Sequence, residues 1–538
     1  MSITWDYIVV GAGSAGCALA ARLAENSAHS VLLLDAGSDR RSVSMRIPGA
    51  VRNLIGKPDY DWNYSSEPDA SRLARPISWS AGRVVGGGSA INGMVFNRGL
   101  ARDYDQWAAL GCSGWSARDV EPVFMKLENF PAAEGPTRGR TGPVDVEFNR
   151  YRSPVVQPWL NACAQIGVPQ LTDINAFAPL GVGCAQSSTR RGRRCSSRDA
   201  YLSRPRPNLR LRSAARATAL CFDGSRCTGV SYQCDGQRLN AYARREVILC
   251  AGTFGSPQLL MLAGIGDPAM LQPFGVMLRR ALPGVGKNLQ DHAGVGISLA
   301  VHANTITAGD DRLWRKAQHG LRWWLRGDGM AAGATVLACG YALSALGRVE
   351  PDTYLQLLGF GLQATLDHAL RFSDTTALTT ICSVAQPRTR GKLCLASLDA
   401  YTPLRGELQL LGDESDCARL VTAMRLVRRI HAAAALGRIA REELLPGRDV
   451  QSDEQLLAFA RSHAGSQYHA VGTCAMGVDA SAVVDPQLRV HGLQGLRVAD
   501  ASIMPRLTSA NTNAPVIMIA ERAAELLRAT SDCQLPGR

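Results

Sequence analysis

The first 35 residues constrain the fold most, because they join a buried strand, a glycine-rich turn and a helix. Asp6–Val10 is short and rich in β-branched residues, Gly11-Ala-Gly-Ser-Ala-Gly16 follows it, and residues 17–25 are rich in Ala and Leu. Gly11 permits a tight turn, Gly13 lets the backbone approach a pyrophosphate, and Gly16 lets the helix pack closely on the strand. We therefore predict a dinucleotide-binding βαβ unit whose helix N-terminus faces a phosphate.

A carboxylate at the end of the second strand supports this prediction. Ser30–Leu34 is apolar and ends at Asp35, 19 residues after Gly16, where a carboxylate can accept hydrogen bonds from ribose hydroxyls. This fingerprint does not distinguish FAD from NAD.

The length of the chain predicts more than one domain. At 538 residues it exceeds the size at which a single hydrophobic core stops growing, so we expect two closely packed domains with room for a large cofactor. Hydrophobic residues make up 46% of the chain and charged residues 20%, as in ordinary globular enzymes.

The cysteines and the apolar runs indicate the cellular compartment of the protein. The 15 cysteines include no Cys-x-x-Cys pair, and several lie in apolar runs, as Cys250 and Cys339 do. We interpret them as small buried hydrophobes, with no disulfide framework and no metal site. No apolar run is long enough for a transmembrane segment, and no cleavable leader precedes the first strand. These features favour a reducing cytoplasm.

The net charge of +13 suggests an acidic partner, but the pattern of charge does not favour nucleic acid. The densest basic cluster has no interleaved aromatic residues that stack on bases, so we interpret it as a solvated basic face. It consists of Arg190, Arg191, Arg193, Arg194 and Arg198.

A second basic segment carries tryptophans. Residues 312–326 contain Trp314, Trp323 and Trp324 among Arg and Lys residues, a pattern found in membrane-surface helices and also in helices packed on their own domain. We favour the second interpretation.

Long motifs further along the chain carry a family resemblance. Gly82-Arg-Val-Val-Gly-Gly-Gly-Ser-Ala-Ile-Asn-Gly-Met-Val-Phe-Asn-Arg-Gly99, with Asp105 after it, resembles the first signature of the glucose-methanol-choline (GMC) flavin oxidoreductases. Residues 252–266 resemble the second signature, except that Ala263 replaces a serine. The likeness continues in residues 468–477, 496–505 and 511–515, and so spans nearly the whole chain.

The resemblance implies an α/β fold in which a Rossmann-type FAD-binding domain is combined with a discontinuous α+β substrate-binding domain. The FAD-binding domain is expected at residues 1–155, 200–300 and 455–538, and the substrate domain at 156–199 and 301–454. Within the substrate domain we predict strands at Leu393–Leu398 and Gly406–Leu411 and an amphipathic helix at Ser415–Ala435.

The resemblance also implies a set of cofactor-binding residues. Gly86, Gly87 and Gly88 permit close backbone approach to a flat ring or a phosphate, although a flexible loop has the same composition. Trp62 matches a position near the cofactor, but a lone tryptophan is equally a core anchor. The set comprises Gly11, Gly13, Ser14, Ala15, Gly16, Asp35, Ala36, Trp62, Arg83, Val85, Gly88, Asn92, Gly93, Met94, Val95, Ala217, Tyr468, Asp500, Ala501 and Thr512.

Alcohol oxidation requires a base beside the hydride acceptor, and histidine suits neutral pH. The resemblance places His469 in that role, as base or alkoxide-positioning group, with Asn511 as its hydrogen-bonding partner 42 residues later. We interpret His292 and His491 as structural, and the role of His463 stays open. FAD is expected to be non-covalent, because Ala90, Ile91 and Asn92 offer no nucleophile for attachment.

The expected reaction is oxidation of a small primary alcohol, aryl or furanic, to the aldehyde by hydride transfer to flavin N5. The sequence resembles 5-hydroxymethylfurfural oxidases and choline dehydrogenases. Choline is less favoured, because a quaternary ammonium prefers an aromatic cage and 6% of the chain is aromatic. The electron acceptor is oxygen or a quinone-like compound. A choline-type dehydrogenase, a hydroxynitrile-type lyase and a non-enzymatic FAD-binding module remain as alternatives.

Overall fold

A seven-stranded sheet carries the N-terminal βαβ unit. The computed structural model describes residues 4–132, 134–177, 180–345, 348–363 and 371–532. Strand Thr4–Val10 pairs in parallel with Val31–Leu34, and helix Ser14–Leu23 connects them, which confirms the predicted strand, turn and helix. The strand order is Leu209–Arg212, Val31–Leu34, Thr4–Val10, Gln237–Leu249, Arg226–Cys234 and Ala215–Asp223, with Leu496–Val498 also pairing with Gln237–Leu249.

A second seven-stranded sheet has its own core. Val295, Ile297 and Leu355 from its strands pack against Leu420 and Met424 of helix Glu414–Ala432, which matches the helix predicted at 415–435 within three residues. Its order is Ala440–Leu445, Ala293–Val301, Ala377–Val384, Thr353–Leu358, Val336–Ala342 and Gly181–Cys184, with Gly465–Ser466 also pairing with Ala293–Val301.

The two strands predicted near residues 393–411 are shorter than expected and lie elsewhere. Lys392–Cys394 and Arg405–Glu407 join a four-stranded sheet with Tyr64–Asp69 and Arg75–Trp79 rather than the second large sheet. The later strand ends early because a side chain replaces the neighbouring strand as hydrogen-bond partner: the Leu410 amide donates to Asp69 Oδ2 at 3.0 Å. Apolar alternation predicted the strands but not these polar partners.

Helices cover the sheets. Helix Ser14–Leu23 packs against the C-terminal helix Asn513–Asp532, which brings both ends of the chain to the first sheet. The other helices are Val43–Arg46, Gly88–Ile91, Ala101–Ala109, Ala117–Leu127, Val156–Gln165, Ser197–Tyr201, Gly252–Leu262, Pro268–Leu271, Leu313–Arg326, Ala434–Gly437 and Asp453–His463.

Two expectations about basic segments need correction. Arg194 and Arg198 are buried, where Arg194 donates to backbone carbonyls and Arg198 pairs with Asp39. Only the remaining arginines of the cluster therefore form a solvated face. Helix Leu313–Arg326 buries Trp323 but leaves Trp324 67% exposed, and is therefore only partly packed on its own domain. Within the described ranges, no helix is long and apolar enough to cross a membrane.

Candidate active site

A deep cavity begins at the carboxyl ends of the parallel strands and extends toward the second sheet. Val10 and Leu34 lie at the ends of their strands, which is where open α/β sheets bind ligands. The wall includes most of the predicted cofactor residues together with both predicted catalytic residues: Gly11, Gly13, Ser14, Ala15, Asp35, Ala36, Trp62, Gly88, Asn92, Gly93, Met94, Val95, Ala217, Tyr468, His469, Asp500, Ala501, Asn511 and Thr512.

Glycines let two turns meet at one end of this cavity. Gly11 has φ +102°, and a Cβ there would lie 2.4 Å from the carbonyl oxygen of Cys250. Gly87 has φ +53°, and a Cβ there would lie 2.7 Å from the Cα of Gly13. Larger residues would push the two turns apart, so this end is shaped by bare backbone that can approach a flat or phosphorylated ligand closely.

Asp35 is a buried carboxylate at the same end. Its two oxygens accept hydrogen bonds from the amides of Ala12 at 2.6 Å and Gly37 at 2.7 Å, which hold the carboxylate at the cavity wall. Burial raises the pKa of Asp35 to about 6. Since each oxygen keeps a further lone pair, the carboxylate can accept from ribose hydroxyls as the fingerprint predicts.

Arg194 organises the loop that follows the triple glycine. Its Nη1 donates to the carbonyl of Asn92 at 2.7 Å and to Asn92 Oδ1 at 2.9 Å, and that same oxygen accepts from the Met94 amide at 3.0 Å. Burial lowers the pKa of Arg194 to about 9. The sequence analysis missed this contribution, because the arginine lies about a hundred residues from the loop it supports.

Three predicted cofactor residues are not part of the cavity wall. Gly16 lies under the turn, where a Cβ would be 1.7 Å from the carbonyl oxygen of Gly11. The Arg83 guanidinium lies 5.0 Å from the centre of the Trp62 ring, and Val85 is buried with its amide donating to the Ser38 carbonyl. Gly16 and Val85 thus belong to backbone beneath the wall, and Arg83 contacts Trp62.

At the other end of the cavity, one buried carboxylate holds the segment that carries His469. Asp291 accepts hydrogen bonds from Trp79 Nε1 at 2.8 Å, the His469 amide at 3.0 Å, the His292 amide at 2.8 Å and the Ser466 hydroxyl. Burial raises the pKa of Asp291 to about 6, while these donors oppose the rise. The carboxylate thus joins the segments that carry both histidines.

The two histidines contact each other directly. Nδ1 of His469 lies 2.9 Å from Nδ1 of His292, and Nε2 of His292 lies 2.9 Å from the carbonyl oxygen of Ala385. A carbonyl only accepts, so His292 carries its proton on Nε2 and accepts at Nδ1. His469 therefore carries its proton on Nδ1, so its Nε2 presents a lone pair that accepts hydrogen bonds and can act as a base.

Asn511 reaches the same nitrogen from the opposite side. Its Nδ2 lies 3.0 Å from His469 Nε2, and its Oδ1 accepts from the Tyr354 hydroxyl at 2.9 Å. The side-chain Nδ2 of Asn97 donates to that hydroxyl at 3.4 Å. The orientation of the Asn97 side chain is set in turn by the backbone amide of Gly99, which donates to Asn97 Oδ1 at 3.0 Å. Followed from Gly99, this chain makes Asn511 Nδ2 the donor to His469 Nε2. That agrees with the proton on His469 Nδ1 inferred from Ala385.

The electrostatics keep this base neutral. Burial first, and then the neighbouring His292, hold the pKa of His469 well below its usual range. Burial also lowers the pKa of His292 to about 4, although its bond to Ala385 opposes the shift. At neutral pH both imidazoles are uncharged, as the donor and acceptor pattern requires.

Family models for GMC oxidoreductases match residues 5–294 and 387–520 of this chain. The chain belongs to the GMC oxidoreductase family. It is therefore an FAD-dependent oxidoreductase that acts on the CH–OH group of its substrate. The structure fits that cofactor, because this GMC oxidoreductase offers a glycine-lined approach and the buried carboxylate of Asp35 within one cavity.

Relatives extend over nearly the whole chain of this GMC oxidoreductase. An oxygen-dependent choline dehydrogenase of Photobacterium profundum is 36% identical over 537 residues, which cover 98% of this chain and 93% of the relative. The human mitochondrial choline dehydrogenase is 37% identical over 535 residues, with 97% and 90% covered. The crystal structure of pyridoxine 4-oxidase from Mesorbium loti is similar with a TM-score of 0.88 at 28% identity, covering 98% of this chain and 99% of that one.

Sequence reasoning missed several residues around the catalytic pair. It interpreted His292 as structural, whereas the imidazole contacts His469, and it assigned no role to Asp291 or Tyr354. The adjacent acid and histidine at 291–292 were the one visible signal. His491, in contrast, donates from Nε2 to the carbonyl of Gly477 at 3.2 Å, outside the cavity wall, and His463 stacks on Phe459.

Proposed function

We propose that this GMC oxidoreductase oxidises a small, uncharged primary alcohol, aryl or furanic, to the aldehyde, with His469 as the base and Asn511 as its partner. The observation that carries the proposal is the chain of contacts from the Ala385 carbonyl through His292 to His469, from which we infer the tautomer of His469. Bonding from Ala385 through His292 directs the Nε2 lone pair toward Asn511 at the cavity wall. A base in this form is ready to accept a hydroxyl proton without prior deprotonation.

His469 and Asn511 have different roles toward the substrate oxygen. A hydroxyl that enters between the two side chains replaces the hydrogen bond between them: it donates its proton to His469 Nε2 and accepts a hydrogen bond from Asn511 Nδ2. When bound, FAD supplies the acceptor for the hydride that leaves the carbinol carbon. Tyr354 holds the Asn511 amide, and Asp291 holds the backbone of His469, so both catalytic groups are positioned before substrate arrives.

We also propose that FAD is held non-covalently by the predicted cofactor residues, among which Gly16, Arg83 and Val85 act indirectly. The support is that the wall segment around Ala90 and Asn92 offers no histidine for attachment. For the domains we propose an FAD-binding domain at residues 1–155, 200–300 and 455–538 and a substrate domain at 156–199 and 301–454, with the second FAD segment shortened to end before Ala293, because strand Ala293–Val301 lies in the second sheet. Yellow colour that stays with acid-precipitated protein would contradict non-covalent binding.

The charge of the cavity supports an uncharged substrate. Of the wall carboxylates, Asp35 lies at the opposite end of the cavity from His469, and Asp500 holds the Gly252 amide and the Ser256 hydroxyl, so we assign neither to a substrate ammonium group. Choline is nevertheless the second candidate, and the overall aromatic content of the chain was a poor guide to it. Aromatic side chains are concentrated at the wall, namely Trp62, Tyr64, Trp79, Phe254 and Tyr468.

An anaerobic spectral screen tests the proposal. Holoenzyme is mixed with benzylic, furanic and aliphatic alcohols, with choline, and with 3,3-dimethylbutan-1-ol, the uncharged analogue of choline. We expect the aryl or furanic alcohols to bleach the flavin, and the uncharged analogue to do so faster than choline. Faster bleaching by choline supports the second candidate, and no bleaching by any alcohol contradicts oxidation and favours a lyase or an FAD-binding module.

The reduced enzyme then identifies its acceptor, which we propose is oxygen or a quinone-like compound. If the yellow colour of the flavin returns in air as fast as the enzyme turns over, the enzyme is an oxidase. If the colour returns only when a quinone is added, the enzyme is a dehydrogenase. We propose a reducing cytoplasm as the location, because the described cysteines are all unpaired.

A further inference from the structure

Helix Leu313–Arg326 presents its apolar face to solvent. Trp323 faces inward, where it is buried and donates from Nε1 to the carbonyl of Gly192 at 2.6 Å. The opposite face is apolar at helical spacing and highly exposed, with Leu313 87% and Trp324 67% accessible. The exposed apolar side chains are Leu313, Trp314, Leu321, Trp324 and Leu325.

Basic side chains surround this apolar face. Within the helix, Arg315 lies over the ring of Trp314 at 4.4 Å, and Arg326 is exposed at the C-terminal end. A hairpin distant in sequence adds to them, since its tip at Arg191 contacts Gly327 where the helix ends. The exposed basic residues are Arg190, Arg191, Arg193, Arg312, Arg315, Lys316, Arg322 and Arg326, while Asp328 pairs with Arg322, Asp145 with Arg190 and Asp310 with His319.

We propose that this helix and the adjoining arginine hairpin dock the protein on the surface of an anionic lipid bilayer. Tryptophan and leucine on one face with Arg and Lys beside it is the pattern of helices that lie in the membrane interface. The excess of positive charge matches anionic headgroups. A second copy of the chain fits less well, because a twofold contact would bring the same basic residues against each other.

The position of the helix gives this docking a consequence for the active site. The residues after the helix lead through Met330–Ala332 to Ala334, which packs against Met94 of the cavity wall. Docking would therefore place this side of the cavity near the bilayer, where apolar substrates and acceptors concentrate. The docking itself does not depend on which alcohol is oxidised.

Vesicle sedimentation with the holoenzyme tests the proposal. The protein is mixed with vesicles of phosphatidylcholine alone, or of phosphatidylcholine with roughly one third phosphatidylglycerol, an anionic lipid. We expect co-sedimentation with the anionic vesicles, little with phosphatidylcholine alone, and loss of binding in about 0.5 M salt, which screens surface charge. The double variant Leu321→Glu/Trp324→Glu should bind roughly tenfold more weakly, because it places two charges on the apolar face.

A matched double variant separates this surface from general effects of charge. Met277→Glu/Leu398→Glu introduces the same two charges at other exposed apolar positions and should bind vesicles like the wild type. Retained FAD and an unchanged melting temperature establish that both doubles are folded. The proposal is overturned if the wild-type protein does not co-sediment with anionic vesicles. It is also overturned if the two double variants bind the vesicles equally. A dimer that Leu321→Glu/Trp324→Glu converts to monomer, without vesicle binding, also overturns it and identifies a self-association face.

Discussion

The two ends of the cavity are built in different ways. At the cofactor end, Gly11, Gly13 and Gly87 shape the wall by having no side chains, and two of the three lie within one short motif. At the proposed catalytic end, His469 and Asn511 are oriented by hydrogen bonds to residues up to 178 positions away, such as Asp291 and His292. The comparison teaches that one end depends on backbone space and the other on the direction of hydrogen bonds, so each should fail in its own way.

The largest expected effect is on the base itself. His469→Ala should retain FAD, because the glycine end is untouched, but flavin reduction by substrate should slow by roughly 10²-fold or more, the usual contribution of a general base. Stopped-flow absorbance under anaerobic conditions measures the rate. His491→Ala, outside the cavity wall, should leave the rate unchanged. Near-normal reduction by the His469 variant would remove the base from this position.

The glycine end should respond with lost cofactor instead. In Gly87→Ala the new Cβ meets the Cα of Gly13 at 2.7 Å, and a backbone conformation suited to glycine adds strain of roughly 1–3 kcal/mol. We expect FAD to be lost on gel filtration, while any protein that retains FAD is reduced at the normal rate. Gly224→Ala has nearly the same φ, +54°, but nothing within 4 Å of its Cβ, and should keep its FAD. Equal loss from both variants would indicate strain alone.

This contrast also explains how much the sequence could predict. The turn around Gly11 and the carboxylate at Asp35 were predictable, because strand, turn, helix and acid are encoded by local patterns with fixed spacing. The identity of His469 and Asn511 came from family resemblance. The contacts of His292 and Tyr354 could not be predicted, because they join segments 177 and 157 residues apart in the chain, and no local pattern records a partner at that distance.

The histidine pair offers a sharper test of directed bonding. His292→Phe keeps an aromatic ring but leaves the buried Nδ1–H of His469 without an acceptor, which costs roughly 1–3 kcal/mol or about 5- to 150-fold in rate. ¹⁵N NMR of labelled histidine should show the His469 proton moving to Nε2, whether or not a substrate is known. An unchanged tautomer would contradict the role of His292.

Two controls accompany that variant. His292→Gln supplies an amide that can accept from His469 and donate to Ala385, so it should restore much of the rate and the Nδ1–H tautomer. His431 is another fully buried histidine, bonded to Thr380 at 2.9 Å in the second core. His431→Phe should lower stability without changing the tautomer of His469.

A smaller effect is expected at the partner amide. Asn511→Ala removes one hydrogen bond to the substrate oxygen, and should slow flavin reduction by up to about tenfold while the His469 tautomer stays fixed by His292. Asn513→Ala is the matched control, because Asn513 accepts from the Ser14 hydroxyl at 2.8 Å near the glycine turn. We expect that variant to weaken FAD binding instead. If Asn511→Ala behaves like the wild type, Asn513 becomes the better candidate for the catalytic amide.

The smallest expected change is a flat pH profile. An exposed histidine titrates near pH 6.5, and its rate as a base falls as protonation removes the lone pair. Burial and the neighbouring His292 lower the pKa of His469, so Nε2 stays unprotonated as the pH falls from 9 through 6.5. The rate constant for flavin reduction should therefore stay constant across that range. A decline centred near 6.5 would mean that the imidazole is solvated in the working enzyme, and the closed, directed bonding at this end would then be absent when substrate binds.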